Sequence, residues 1–115
     1  MNVLNILVKN PGKLAYTDDV PAEVLQKSLD SGAYEAIPFS AAVVILKDPN
    51  ALLRVLDPNI QMGGLKIYGG VIFAGYEKEA DKAIRLKDLS VSPDAIRRMW
   101  KDIYPYARKG EKPPR

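Results

Sequence analysis

Residues 41–47 read Ala-Ala-Val-Val-Ile-Leu-Lys, an apolar run with no polar side chain before Lys47. A short apolar run of this kind predicts a buried strand at the centre of a sheet. A second apolar segment, residues 33–39, precedes it and is closed by Pro38. Because only Ser40 separates the two segments, we expect them to form a hairpin.

The chain before this hairpin predicts another pair of strands. Residues 3–9 are apolar and β-branched, which is typical of a buried strand. Residues 10–13 place proline and glycine at the two central positions of a type II turn. Residues 13–17 then alternate in polarity, as expected of the returning strand. The short apolar stretch at the start lacks a basic leader, so it is interpreted as a strand and not as a signal peptide.

A first helix is expected to begin near Pro21, with Asp18 and Asp19 at its positive end. Gly32 is placed to end it. Its predicted apolar stripe consists of Val24, Leu25 and Leu29.

The second half of the chain is more irregular. Residues 51–56 are ambiguous between a helical turn and an extended segment, and they lie between two Asp-Pro-Asn breakers. Ile67 and residues 71–76 are typical of strands. Residues 77–82 predict a charged loop, and residues 84–86 predict a short edge strand.

A terminal amphipathic helix is the clearest helical signal. Ser92 is its predicted N-cap, Pro93 occupies its first position and Pro105 ends it. Its apolar residues recur at helical spacing and comprise Ile96, Met99, Trp100 and Ile103.

These elements predict one α+β domain over residues 1–106, followed by a basic, proline-containing flexible tail over residues 107–115. We expect a small, mostly antiparallel sheet with two helices packed on one face, in the order β-β-α-β-β-β-α. A chain of 115 residues is too short for two comfortable cores.

The chain contains no cysteine and no histidine. These absences exclude disulfides, thiolate nucleophiles, imidazole metal ligands and Ser-His or Cys-His pairs. No nucleophile, base and orienting group can be assembled from what remains, so an enzyme is the least expected class. We predict no cofactor, no metal and no membrane span, and a cytoplasmic location is expected.

Positive charge is concentrated at the C-terminal end. Residues 96–115 carry seven basic and two acidic side chains, whereas residues 1–95 carry ten basic and twelve acidic ones. This asymmetry is compatible with nucleic acid or an acidic protein as partner, or with a merely solvated helix face and tail. The candidate residues for such a partner are Arg97, Arg98, Lys101, Tyr104, Tyr106, Arg108 and Lys109.

Glycines crowd into residues 63–75, where backbone amides could approach the phosphate of a nucleotide-like ligand. No lysine-containing phosphate-loop motif follows them, and glycines at turns and strand bends are the alternative interpretation. The ligand candidates are Gly63, Gly64, Lys66, Gly69 and Gly70, with Arg54, Glu35 and Asn59. Glu35 could equally face solvent. Asn59 could join a cation site with Asp48 and Asp57, although turn chemistry explains these residues more simply.

Several of these stretches together show a family likeness. They are Pro11-Gly12-Lys13, Gly32-Ala33-Tyr34-Glu35 with Ile37-Pro38, Pro58-Asn59, Tyr68-Gly69-Gly70-Val71-Ile72-Phe73-Ala74-Gly75 and the helix after Leu89-Ser90. Over roughly residues 3–104 the chain resembles a family of small bacterial and phage proteins catalogued as domain of unknown function 3846. It departs from that pattern at residues 48–51 and at Ile60. The resemblance implies an origin in a phage, plasmid or neighbouring host region, and it implies no activity.

Three functions remain open. The first is a non-enzymatic binding protein that sequesters or inhibits a host factor, for instance one of a host defence system, which predicts an exposed apolar patch or a homo-oligomer. The second is a nucleotide-like small-ligand binder that uses the glycine-rich segment. The third is a nucleic-acid binder that uses the basic C-terminal helix and tail.

Overall fold

The computed structural model describes residues 2–103. Its helices are α1 (Ala22–Asp30) and α2 (Pro93–Arg97). Its strands are β1 (Val3–Lys9), β2 (Tyr16–Pro21), β3 (Glu35–Pro38), β4 (Val43–Lys47), β5 (Pro58–Met62), β6 (Leu65–Tyr68), β7 (Val71–Lys78), β8 (Ile84–Lys87) and β9 (Lys101–Asp102). The fold is α+β and mostly antiparallel, as the sequence predicts, but it holds more strands than the predicted order. The predicted tail lies outside the described residues.

The larger sheet runs in the order β2-β1-β7-β4-β3, and all its pairings are antiparallel. β7 lies at its centre: residues 71–75 pair with β4 on one side, while residues 71–73 pair with β1 and residues 75–78 with β8 on the other. The predicted hairpin around Ser40 is confirmed, with Glu35 opposite Lys47. The predicted central strand, β4, has four fully buried apolar residues in succession.

Both faces of this sheet are covered. Successive strand side chains point to opposite faces, so an unbroken apolar strand such as β4 needs packing partners on each side. On the first face Leu7, Val43, Ile45, Val71 and Phe73 pack with Ile60, Met62 and Ile67 and with Ile96 of α2. On the second face Leu4, Ile6, Val44, Leu46 and Ala74 pack with Leu86 and with Leu25 of α1. The two helices therefore lie in separate clusters on opposite faces, and the expectation that both share one face is not met.

A second, three-stranded sheet in the order β6-β5-β9 covers the first face. The sequence pattern predicts a strand at Ile67 but none at β5, because Pro58 at the start of β5 is typical of a residue that interrupts a strand. Proline is tolerated at the first residue of a strand. The neighbouring Asn59 sits at a register irregularity between Pro58 and Ile60, which hides the alternating pattern.

The terminal helix is much shorter than predicted. Its start is confirmed, since the Ser92 hydroxyl accepts a hydrogen bond from the Asp94 N–H at 3.2 Å. It ends at Arg97, and Lys101–Asp102 then pairs with β5 as β9. Trp100 stacks on Phe73, with ring centroids 5.2 Å apart. Strand pairing and this aromatic contact replace the helical continuation, and Met99 is left 46% exposed instead of packing in a stripe.

Other departures are local. β2 runs from Tyr16 to Pro21, so Asp18 and Asp19 lie in an edge strand and not at the start of α1. In α1, Leu25 is buried, whereas Val24 is 62% exposed and does not join the predicted stripe. Gly32 follows the helix with a φ of +87°, as its predicted terminating role requires.

The outer edge of β8 is closed by a side chain. The Gln26 carboxamide donates from Nε2 to the Ile84 carbonyl at 3.0 Å and accepts at Oε1 from the Leu86 N–H at 2.8 Å. It thereby offers β8 the donor and acceptor that a neighbouring strand would supply. α1 is held against the sheet by these two hydrogen bonds as well as by Leu25.

No helix within residues 2–103 is long and apolar enough to cross a membrane.

Gly75 is required by close packing of the backbone. A Cβ at this position would overlap the Asp88 carbonyl oxygen and lie 2.8 Å from its carbonyl carbon. We expect Gly75→Ala to lower the free energy of unfolding by about 3 kcal/mol, at the upper end for overpacked sites, because a backbone segment cannot move aside cheaply. Urea denaturation measures this loss. Gly64→Ala is the matched control, since a Cβ there meets nothing within 4 Å. Equal effects of the two substitutions would contradict the packing argument.

Candidate functional site

The glycine candidates occupy the two turns that flank β6. Gly63 and Gly64 join β5 to β6, and Gly63 has a φ of +58°. Gly69 and Gly70 join β6 to β7. A Cβ at Gly69 would lie 2.7 Å from Leu56 Cδ1, and one at Gly70 would lie 2.6 Å from Asn10 Oδ1. These neighbours, together with the φ of +79° at Gly69, favour glycine in the second turn without a ligand.

The charged candidates of this region are mostly paired. Glu35 forms an ion pair with Lys47, with 3.1 Å between Oε1 and Nζ. Arg54 forms an ion pair with Asp48. Lys66 is exposed on β6 and lines a cavity of about 150 Å³ beside residues 49–53. Within residues 2–103 no three carboxylates are grouped to hold a metal ion.

The basic candidates at the C-terminal end are only partly within the described residues. Arg97, Arg98 and Lys101 are exposed. Arg97 pairs with Asp94 at 3.0 Å and also donates to the Ala15 carbonyl at 3.0 Å. The remaining candidates, Tyr104, Tyr106, Arg108 and Lys109, lie outside the described residues.

Asn59 is a candidate whose side chain the fold buries completely, with 0% exposure. Its Nδ2 donates to the Lys9 carbonyl and to the Gly69 carbonyl, both at 2.8 Å. The backbone carbonyl of Asn59 accepts a hydrogen bond from the Ile103 N–H at 3.1 Å. Asn59 thus connects β1 of the larger sheet with the β6–β7 turn and with the end of β9.

Lys9 is a functional candidate that sequence reasoning misses. It is 2% exposed, and its ammonium group donates to the Asn10 carbonyl at 2.8 Å and to Asn59 Oδ1 at 3.1 Å. It also pairs with Asp102, with 3.1 Å between Nζ and Oδ1. An ammonium group has three donors, so these contacts satisfy it fully. A lysine at the end of an apolar strand looks solvent-exposed in sequence, and no local signal reveals its partners.

A basic pocket opens beside Lys9, between the β1–β2 turn and α2. Its volume is about 420 Å³, and its charged lining residues are Lys9, Lys13, Arg97 and Asp102. Within residues 2–103, the lining has three cations and one carboxylate, which give a net charge of +2. Trp100, Leu14 and Ala15 form its apolar wall. We call this cavity the basic pocket.

Residues 51–56, which we call the apolar loop, form the second distinctive surface. Leu52, Leu53 and Val55 are 71%, 84% and 86% exposed. Isolated exposed aliphatic side chains are ordinary, but three of them within the four consecutive residues 52–55 form an apolar patch. The patch is of the kind that the binding-protein hypothesis predicts.

The chain matches no protein family model, no curated protein and no solved structure. The resemblance described from the sequence therefore stays a prediction.

The Lys9–Asn59 contact is expected to couple the two residues energetically. Asn59→Leu leaves a buried ammonium short of an acceptor and two carbonyls short of a donor, so we expect a loss of about 3 kcal/mol in unfolding free energy. In a double-mutant cycle with Lys9→Met, the double variant should lose at least about 1 kcal/mol less than the sum of the single losses.

The exposed pair Arg85–Glu79, with 3.0 Å between Nη2 and Oε1, is the control for this cycle. Its coupling energy should stay within about 0.5 kcal/mol, because solvent screens it. Additive effects of Lys9→Met and Asn59→Leu in urea denaturation would show that the buried pair does not act as a unit.

Proposed function

We propose that the chain is a non-enzymatic binding protein of phage or mobile-element type that occupies and inhibits a protein of its host cytoplasm. The phage setting and the host cytoplasm rest on the family resemblance alone. The observation that supports binding to a protein is the apolar loop, which holds three large aliphatic side chains in water. Burial of each such side chain in a partner is worth about 1.5–3 kcal/mol.

The apolar loop is held in a defined shape, as a preformed contact surface needs to be. The Arg54 N–H donates to the Asn50 carbonyl at 2.9 Å, and the Leu56 N–H donates to the Ala51 carbonyl at 3.0 Å. Ala51, at the start of the loop, is 4% exposed and so anchors it. A rigid loop loses little conformational entropy on binding, which favours affinity.

The backbone at the tip of the loop is strained. Val55 has a φ of +54°, in the left-handed region that β-branched residues avoid. A conformation of this kind costs of order 1–3 kcal/mol and is found where the surroundings impose it, often at binding surfaces. Strain and apolar exposure in the same four residues support a functional role for the loop.

The partner that suits this loop is a protein with an apolar cleft. Arg54 is the only charged residue of the loop, and it already forms an ion pair with Asp48. The loop therefore does not require an acidic residue on the partner. Exposed aliphatic side chains are buried most fully in a concave apolar surface, where a few buried side chains supply most of the binding energy.

The test is a pull-down from host lysate followed by titration calorimetry with the purified partner. We expect wild-type chain to capture one protein stoichiometrically and Leu52→Ser/Leu53→Ser to bind it at least about tenfold more weakly. The matched control is Leu14→Ser/Val24→Ser, which changes aliphatic residues 91% and 62% exposed elsewhere on the surface. The control should bind as wild type does.

Three results would overturn the proposal. The first is that no host protein is captured stoichiometrically, and the second is that both double variants capture it equally well. The third is a dimer of the chain, seen by light scattering, that Leu52→Ser/Leu53→Ser dissociates. The apolar loop would then serve self-association.

Relief of the strain at Val55 gives an independent prediction. Val55→Gly should raise the free energy of unfolding by about 1 kcal/mol, because glycine adopts positive φ without penalty. Lys82→Gly, at a φ of +67°, is the control and should gain less because lysine is not β-branched. Thermal and urea unfolding measure both. If Val55→Gly is less stable than wild type, the backbone at Val55 is not strained.

A further inference from the structure

We propose that the basic pocket binds a nucleoside monophosphate. This goes beyond the protein-binding role and uses a different part of the surface. The pocket joins a cluster of cations to an aromatic wall, and those are the two features that a small molecule with a planar ring and an anionic group requires.

Charge favours an anion at this place. Lys13, Arg97 and the buried Lys9 line the pocket, and among the described residues Asp102 is the only acidic one that does so. Lys9 is fully engaged by its three acceptors, so it contributes its field and fixes Asp102 in place. Direct contacts to the anion fall to Lys13 and Arg97. Of the five N–H donors of Arg97, the bonds to Asp94 and to the Ala15 carbonyl use two.

The wall of the pocket suits a planar ring. Trp100 is partly exposed, and its stacking on Phe73, with 19° between the ring planes, holds the indole in one orientation. Leu14 is 91% exposed and lines the same pocket, so it can cover a ring that enters. Contact of a base with an aromatic side chain is worth about 1–3 kcal/mol.

The volume of the basic pocket limits the class of ligand that it can hold. The pocket volume of about 420 Å³ lies near the small end of the range in which ligand sites occur, roughly 300–1,000 Å³. A mononucleotide is of that scale, whereas a dinucleotide cofactor needs more room. The described lining residues carry a net positive charge, opposite in sign to the charge of a monophosphate.

Trp100 is the only tryptophan of the chain, so its fluorescence reports directly on this pocket. The experiment titrates adenosine monophosphate, adenosine and inorganic phosphate separately into the full chain. We expect adenosine monophosphate to change the Trp100 emission saturably, with a dissociation constant of about 1 mM or tighter. Adenosine and phosphate should each bind at least about tenfold more weakly, because each offers half of the contacts. The affinity should fall as salt is added.

The variants separate this pocket from the glycine-rich segment. Lys13→Gln, on an exposed turn, and Lys13→Gln/Arg97→Gln should weaken binding by about tenfold or more. The matched control Arg54→Gln/Lys66→Gln removes two cations beside the glycine-rich segment and should bind as wild type does. Near-ultraviolet circular dichroism of each variant confirms that the fold persists.

The proposal is overturned if adenosine monophosphate produces no saturable change, or if both Lys13 variants bind as wild type does. It is also overturned if Arg54→Gln/Lys66→Gln loses binding while the Lys13 variants keep it. The first two results concern only the basic pocket and leave the protein-binding proposal standing, which is tested separately by Leu52→Ser/Leu53→Ser.

Discussion

The junction of the two sheets depends on one buried polar contact, the pair formed by Lys9 and Asn59. A buried ammonium group carries a desolvation penalty of several kcal/mol unless hydrogen bonds satisfy it, and here it has three acceptors. Asn59 in turn uses both ends of its carboxamide, and among the described residues no buried side-chain polar atom lacks a partner. Apolar contacts alone would allow the small sheet to slide over the larger one. Directional hydrogen bonds fix its position.

The same contact connects the two proposed binding surfaces. Asp102 is held by Lys9 and lines the basic pocket, so the pocket depends on β9 being paired with β5. On the other side, the Gly69 carbonyl accepts from Asn59 while its N–H donates to the Asp57 carbonyl at the end of the apolar loop. Because Leu56 also packs against Gly69, the base of the loop rests on the network.

Sequence patterns identify the larger sheet well because its signals are local. The run at residues 41–47, the short link around Ser40 and the glycine after α1 each specify conformation within a few positions. Such local patterns do not predict the small sheet, since β5 begins at a proline and β9 is two residues long. Strand pairing across the molecule and the contact of Trp100 with Phe73 override the helical spacing of residues 96–103. Lys9 is hidden for the same reason, because two of its three partners, Asn59 and Asp102, come from distant segments.

The edges of the larger sheet are protected in different ways. β2 carries Asp18 and Asp19, β3 ends at Pro38, and β8 has its backbone groups occupied by Gln26. Each device discourages another strand from joining, and the carboxamide does so without adding charge. Copies of the chain at high local concentration are therefore less prone to join their larger sheets edge to edge into fibres. Recognition of other molecules at these edges is left to side chains.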